Sequence, residues 1–326
     1  MNVLVTGGAG FIGSNLVRSL VASGDRVRVL DDLSTGYVSN LDDVTGMGDL
    51  VVGDVCDPSV VRRLVAGAEV VYHLAALPSV SRSIANPIRV NHVNVDGTVN
   101  VLVAARDAGV RRLVYASSSS VYGNAATLPK HEDMAPAPRS PYAASKLAGE
   151  MYCRSFAAVY PLETVCLRFF NVFGPWQDPT SQYAAVIPSF ITRMMTGEPP
   201  VVFGDGTQSR DFTFVGNAIQ ACILAASAGP QSSGEVMNAA CGKRITLLEL
   251  VAELNDLLGA DFRPTFGPPR AGDVDHSLAS IDRAKRLIGY APWMSVRQGL
   301  AATVPWYAAR APTVRVAAGA RGGMVE

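Results

Sequence analysis

The sequence predicts an α/β protein: a doubly wound parallel sheet, followed by a smaller mixed α/β domain. Short apolar runs without a polar face alternate with helical stretches through the first half of the chain, as buried parallel strands and their crossover helices do. The first run passes directly into a glycine-rich turn and then a helix. Past residue 172 the texture changes to shorter elements with more Pro, Gly and loop. The expected division is 1–172 for the sheet domain, with segments near 211–228 and 236–245 returning to it. Residues 173–310 form the second domain, and 311–326 a flexible tail of small, aperiodic residues.

Asn2-Val3-Leu4-Val5-Thr6 opens the sheet, and Gly7-Gly8-Ala9-Gly10-Phe11-Ile12-Gly13 follows at once, leading into the helical Ser14–Leu20. Glycines let the backbone approach a pyrophosphate, which then meets the N–H groups of the helix start. Arg26–Leu30 is the second strand and ends in Asp31-Asp32. A carboxylate at that tip accepts the ribose hydroxyls of an adenosine and repels a 2′-phosphate, which points to NAD rather than NADP. Leu50–Val55 reads as the third strand, its Asp54 and Val55 flanking the adenine. Val70–Ala76 reads as the fourth, with Leu74, Ala75 and Ala76 where a cofactor lies close. His73 within it reads as a structural strand histidine. A long helix is expected over Asn91–Ala108, then a fifth strand, Leu113–Ala116, delivering Ser117-Ser118-Ser119-Ser120 at its carboxyl end, where open α/β sheets collect ligands.

Ser140-Pro141-Tyr142 has the form of a helix start, with Ser140 as N-cap and Pro141 at the first position. Lys146 lies one turn beyond Tyr142 on the same face. A cation there, with the positive helix end, favours a phenolate and makes Tyr142 a proton acceptor near neutral pH. Thr164–Phe170 is a further buried strand. Val201–Phe203 and Arg210–Val215 read as strands, and Asn217–Ala226, Thr246–Leu258, Asp282–Leu287 and Val296–Arg310 as helices.

Composition narrows the function. The chain of 326 residues is 48% hydrophobic, enough for a large core, and its net charge is zero with the charges dispersed. Neither a nucleic-acid groove nor a basic membrane patch is expected, and no apolar run is long enough to span a bilayer. Met1-Asn2 runs straight into the first strand, so no signal peptide is expected. Cys56, Cys153, Cys166, Cys222 and Cys241 lack paired spacing and read as free thiols of a cytoplasmic protein; the four histidines give no metal pattern.

With Gly7-x-x-Gly10-x-x-Gly13, Ser118, Tyr142 and Lys146 in place, the chain resembles the extended short-chain dehydrogenase/reductase family. More narrowly, it resembles the NAD-dependent nucleotide-sugar C4 epimerases, from Val3 to about Tyr307. The resemblance implies a Rossmann-like domain and a resident NAD regenerated on each turn. It makes Tyr142 the base for the sugar 4-hydroxyl, has Lys146 hold the nicotinamide ribose, and has Ser118 bond the same sugar oxygen. Asn94, Ser117 and Phe169 join the cofactor site by the same resemblance. Pro78, Ser79, Ser119, Ser120, Ala185 and Val186 join the substrate site by the resemblance, Asn171 binds the substrate near its phosphates, and Val201 and Phe203 line the uracil. Arg210 and Arg270, with Asp273 nearby, grip the diphosphate, and forked guanidinium geometry suits that work. A homodimer through the helices at 91–108 and 142–160 is implied too.

Three positions narrow the subfamily. The family's 4,6-dehydratases carry Asp-Glu where this chain has Ser119-Ser120, and the decarboxylating branch carries Glu at Ser120. A hydroxyl cannot replace a carboxylate in eliminating water. Members restricted to glucose and galactose carry tyrosine at the position of Ser277, and members that accept N-acetylated sugars carry a small residue. The expected substrates are UDP-GlcNAc and UDP-GalNAc, with UDP-Glc and UDP-Gal admitted. The Ser-Ser-Ser-Ser-Val-Tyr-Gly run also resembles UDP-glucuronate 4-epimerases, with Arg82 a possible partner for a carboxylate. A dehydratase, a net oxidoreductase and a silent NAD-binding regulator are the other readings.

Overall fold

The computed structural model describes residues 1–179, 185–269 and 275–310. Its centre is a seven-stranded sheet whose pairings are all parallel. The first six strands are β1 (Asn2–Thr6), β2 (Arg26–Asp31), β3 (Leu50–Val52), β4 (Val70–His73), β5 (Arg112–Ser118) and β6 (Glu163–Phe169). A seventh, Glu235–Ala239, pairs with β6, so the spatial order is Glu235–Ala239, β6, β5, β4, β1, β2, β3. The order reverses between β1 and β4, and there the crossovers part to opposite faces and open a crevice.

The alternation along each strand shows why both faces are covered. Val3 and Val5 point into one core and Leu4 into the other. Helix α1 (Phe11–Ala22) and the helix Val215–Ser227 cover the first face through Leu16, Val17, Leu20, Ala218 and Cys222. The second face holds Val61 and Leu64 of α2 (Pro58–Val65), beyond which the chain forms α3 (Val80–Ala85) and α4 (Pro87–Asn91). Helices α5 (Gly97–Asp107) and α6 (Pro141–Val159) complete that face with Val101, Leu102, Cys153 and Phe156. Each fully buried Val or Leu contributes about 1.5–3 kcal/mol, so the two-sided pattern dominates the stability of the sheet.

Several elements differ from the sequence reading. The helix expected at 91–108 is three pieces, since residues His92–Asp96 form a π turn between α4 and α5. β3 and β4 stop at Val52 and His73, short of Val55 and Ala76, because the backbone leaves the sheet there to line the crevice. β5 starts one residue early with Arg112. This arginine is fully buried, paired with Glu163 at 2.7 Å and donating to the carbonyls of Ala225 and Ala228 at the end of the helix Val215–Ser227. β5 also runs two residues longer, so Ser117 and Ser118 belong to the strand.

The strand expected at 210–215 is two short pieces, Ser209–Arg210 and Thr213–Phe214. Between them the buried Asp211 carboxylate accepts from the backbone N–H groups of Cys241, Gly242 and Ala279, which interrupts any ladder. Val201–Phe203 pairs in parallel with Thr265–Gly267, and Val186–Met195 is helical; neither Thr265–Gly267 nor that helix was signalled by strong periodicity. Among the described residues no helix is long and apolar enough to cross a membrane, and no cluster of His, Cys, Asp and Glu could hold a metal. The segment 311–326 lies outside the described residues.

Candidate active site

The crevice between β1 and β4 is a cleft of about 380 Å³. Its floor is backbone packed on backbone. Gly7 has φ +73°, and a Cβ on it would stand 2.7 Å from Ala75 N; a Cβ on Gly13 would stand 2.0 Å from Gly7 O. Glycine is therefore required at both positions by contact. Helix α1 begins after Gly10 with no side-chain cap and no acidic residue in its first turn, so the N–H groups of Phe11, Ile12 and Gly13 are open to an anion in the cleft.

Asp31, 6% exposed at the β2 tip, accepts from Ala9 N and Leu33 N, both at 2.9 Å. Burial pushes its pKa up, and the two backbone donors oppose that. Asp32 also faces the cleft, but one of its oxygens is engaged by the Ser34 N–H and hydroxyl. Asp54 and Val55 line the far end, and Leu74, Ala75 and Ala76 the β4 side. This donor set, close-packed glycines with a carboxylate at the neighbouring tip, fits a dinucleotide. Ser34, Thr35 and Gln177 line the cleft as well and were not anticipated. The Ser-Thr pair directly after Asp31-Asp32-Leu33 was the available signal.

Ser117, Ser118, Tyr142, Lys146 and Phe169 meet at the other end. Helix α6 is set by its predicted cap: Ser140 Oγ accepts from Ala143 N at 3.1 Å, with Pro141 at the first position. Ser118 caps the turn Ser119–Tyr122 by accepting from Ser120 N at 3.2 Å, and its side chain lies beside the Tyr142 phenol in the cleft, where it favours the ionised form. Lys146, 4% exposed, donates from Nζ to Ala116 O at 2.8 Å. Burial lowers its pKa to about 8, while Cys153 and Glu150 act in the opposite direction.

These values correct the phenolate expectation for the protein alone. Burial raises the Tyr142 pKa, and the opposing contribution comes from the Ser118 side chain, not from the lysine, whose ammonium is directed at Ala116 O. His73 is structural, as expected. Thr98 gives its hydroxyl proton to Asn94 O, so it accepts from His73 Nε2 at 2.9 Å, and Thr6 donates to Nδ1 at 2.7 Å. Burial first, and then Lys146, hold this imidazole neutral with a pKa near 3.

Asn94, expected at the cofactor, does not line the cleft. The π turn carries it inward, where it accepts from Leu77 N at 2.7 Å and donates to Leu77 O and Ser145 Oγ. Both amide protons are spent on tying the loop after β4 to α6. Helix periodicity cannot foresee this, because the extra residue of the π turn rotates the face.

Beyond Tyr142 the cleft continues past Pro78 and Asn171. Ser79, with φ 89°, accepts from Arg82 N at 3.3 Å, and Asn171 has φ 37°; strained residues of this kind gather at ligand sites. Ser119 and Ser120 lie in the turn after Ser118, and the buried Ser120 Oγ has no partner among the described residues. Asn171 donates to Ser277 Oγ and to Asp211 O. On the far side of that contact lies a second hollow of about 890 Å³ lined by Phe203, Phe266, Arg210 and His276. Arg210 Nη1 donates there to the carbonyls of Ser209 and Asp275. Val201 lies on the strand that carries Phe203, and Ala185 and Val186 open the helix Val186–Met195. Arg270 and Asp273 lie outside the described residues.

A family model described as the NAD dependent epimerase/dehydratase family matches residues 3–240. The chain belongs to that family. It is 40% identical over 311 residues to a UDP-glucose 4-epimerase of Mycolicibacterium smegmatis, covering 94% of this chain and 98% of the relative. Two solved structures share the fold with TM-scores of 0.90. One is a UDP-N-acetylglucosamine 4-epimerase from Methanobrevibacter ruminantium in complex with UDP-N-acetylmuramic acid, 38% identical, covering 95% of this chain and 98% of that one. The other is a UDP-glucose 4-epimerase from Thermotoga maritima with UDP-glucose, 36% identical, covering 95% and 99%. As a member of this family the enzyme uses NAD, and the glycine turn, the open α1 terminus and Asp31 would hold it.

Proposed function

We propose that this enzyme inverts C4 of a UDP-hexose through a 4-keto sugar, with UDP-GlcNAc and UDP-GalNAc as preferred substrates and UDP-Glc and UDP-Gal accepted. The named relatives support C4 epimerisation of a UDP-sugar as the reaction. The observation that carries the reading is the meeting of Ser118, Tyr142 and Lys146 in the cleft, with Ser119-Ser120 following in place of acidic residues. A phenol and a hydroxyl suffice to move one proton on and off a 4-oxygen, whereas eliminating water needs a further acid.

NAD held by the glycine turn and Asp31 would supply hydride chemistry at C4. The chain's own residues do the rest. Tyr142 takes the 4-hydroxyl proton, assisted by the neighbouring Ser118 side chain, which favours its ionised form. Lys146, buried beside it, supplies positive charge on the cofactor side. The hollow of Phe203 and Phe266 offers aromatic faces to a uracil, and Arg210 at its edge offers a cation to a diphosphate. The small Ser277 beyond Asn171 leaves room for a 2-acetamido group. The proposed homodimer would pair the helical segments 91–108 and 142–160, in the second of which Met151 and Tyr152 are exposed.

The test is incubation of the pure protein, without added NAD, with UDP-GlcNAc, UDP-Glc and UDP-glucuronate separately, reading C4 configuration by NMR. Interconversion of UDP-GlcNAc with UDP-GalNAc is expected. Turnover of UDP-glucuronate alone would transfer the reading to a uronate epimerase.

A further inference from the structure

Glu150 on α6 has no part in the chemistry above, yet it is fully buried and bound on both oxygens. It accepts from Arg168 Nε at 2.9 Å and Nη2 at 2.8 Å, and also from the Ser117 hydroxyl. Ser117 immediately precedes Ser118, and Glu150 stands one turn beyond Lys146 and two beyond Tyr142 on the same helical stripe. Arg168 in turn lies over the Tyr122 ring at 4.6 Å, and Tyr122 donates to Asn238 Oδ1 at 2.7 Å. Asn238 Nδ2 then donates to Lys130 O and Ser280 O, three residues past Ser277. One polar chain therefore runs behind the reacting groups from α6 to the segment that carries Ser277.

We propose that Glu150 is a positioning residue for the reaction: paired with Arg168, it anchors Ser117–Ser118 at the β5 tip and fixes the charge on Lys146 from behind. The catalytic consequence rests on the epimerase reading; the electrostatic one does not. The groups around Lys146 are Tyr142, Glu150 and Cys153 on α6, neutral His73 on β4, and Tyr115 on β5 with its ring 5.1 Å from Nζ, and Arg168 on β6 stands behind Glu150. Of these, Glu150 carries a formal charge that favours the ammonium, and Arg168 tempers it by pairing with both carboxylate oxygens. Removing the carboxylate leaves a buried guanidinium, whose Nη1 already lacks a partner among the described residues, with no counter-charge between it and Lys146. Removing the guanidinium leaves a bare carboxylate. The two changes therefore push Lys146 in opposite directions, which a purely packing role does not do.

The chain has four lysines, Lys130, Lys146, Lys243 and Lys285, so a 13Cε-lysine spectrum of the holoenzyme resolves each one, and Lys146→Met assigns the signal of interest. The expected result is a Lys146 titration midpoint about one pH unit lower in Glu150→Gln, higher in Arg168→Gln, and close to wild type in the double variant. The alkaline limb of kcat shifts with the midpoint, and KM for the UDP-sugar stays within about twofold. Midpoints that stay put in both single variants, or move the same way, overturn the proposal. If one single variant fails to fold, the sign in the other decides. A protein that shows the opposed shifts but turns over no UDP-hexose refutes the functional reading alone.

Discussion

Asn171 donates an amide proton to the Ser277 hydroxyl at 3.1 Å, joining the wall of the cofactor cleft to the edge of the second hollow. Ser277 Oγ also accepts from Asp211 N at 3.2 Å, and Ser277 N donates to Ser209 O at 2.9 Å. With Leu278 O accepting from Lys130 N at 2.7 Å, the backbone on both sides is fixed, so a larger side chain at 277 cannot be relieved by shifting the segment. Ser277→Tyr is expected to lower kcat/KM for UDP-GlcNAc by about tenfold or more relative to UDP-Glc, the scale of discrimination available to steric fit. Equal losses on both sugars would remove Ser277 from the specificity argument.

Tyr142→Phe deletes only the hydroxyl that Ser118 contacts. Turnover should fall by about 10²–10⁴, the usual range for a general acid–base group, while the fold and bound NAD are retained. Ser118→Ala should give a smaller loss in kcat, with the acid limb of the profile moving to higher pH because a donor that favours the phenolate is gone. Absorbance of bound nucleotide together with a pH–rate profile checks both.

The fold and the cofactor end of the site were readable because local sequence dictates them. Strands buried on both faces leave continuous apolar runs, and Gly7 and Gly13 have no space for a Cβ. The α6 start was equally local, since Ser140 and Pro141 do their work within one turn. What escaped depends on partners distant in the chain. Asn94 serves Leu77 and Ser145 through a π turn, and Asp211 gathers N–H groups from Cys241, Gly242 and Ala279. Glu150 left a faint trace: it continues the 142–146 stripe, and Arg168 places a charge inside the buried run 165–169, which requires a partner.

The buried Lys146 costs stability, and the sign can be worked through. Its pKa is about 8 in the folded chain against 10.5 for a free lysine. Between those values the unfolded chain holds a proton that the folded chain has lost, so wild-type stability rises with pH across that window. Nucleotide-free Lys146→Met should be inactive yet about 1–2 kcal/mol more stable below pH 8, after allowing for the lost bond to Ala116 O. That advantage should shrink as pH climbs toward 10.5. Thermal unfolding across this range measures it, and a variant less stable than wild type at pH 7 would show that the Ala116 contact outweighs desolvation.

Asp31 is placed to decide between NAD and NADP. Its oxygens already accept from Ala9 N and Leu33 N at the β2 tip, so the carboxylate is fixed in direction, whereas Asp32 has an oxygen engaged by Ser34. In Asp31→Asn the amide nitrogen cannot accept, so one backbone N–H loses its partner and the negative charge that repels a 2′-phosphate disappears. NAD affinity should fall about tenfold to a hundredfold, the worth of a hydrogen bond to a charged group, and the NAD-to-NADP preference should fall at least about tenfold. Calorimetric titration of both dinucleotides gives the ratio directly. A preference that survives Asp31→Asn and collapses in Asp32→Asn would move the discrimination one residue along, to a carboxylate that must first release Ser34.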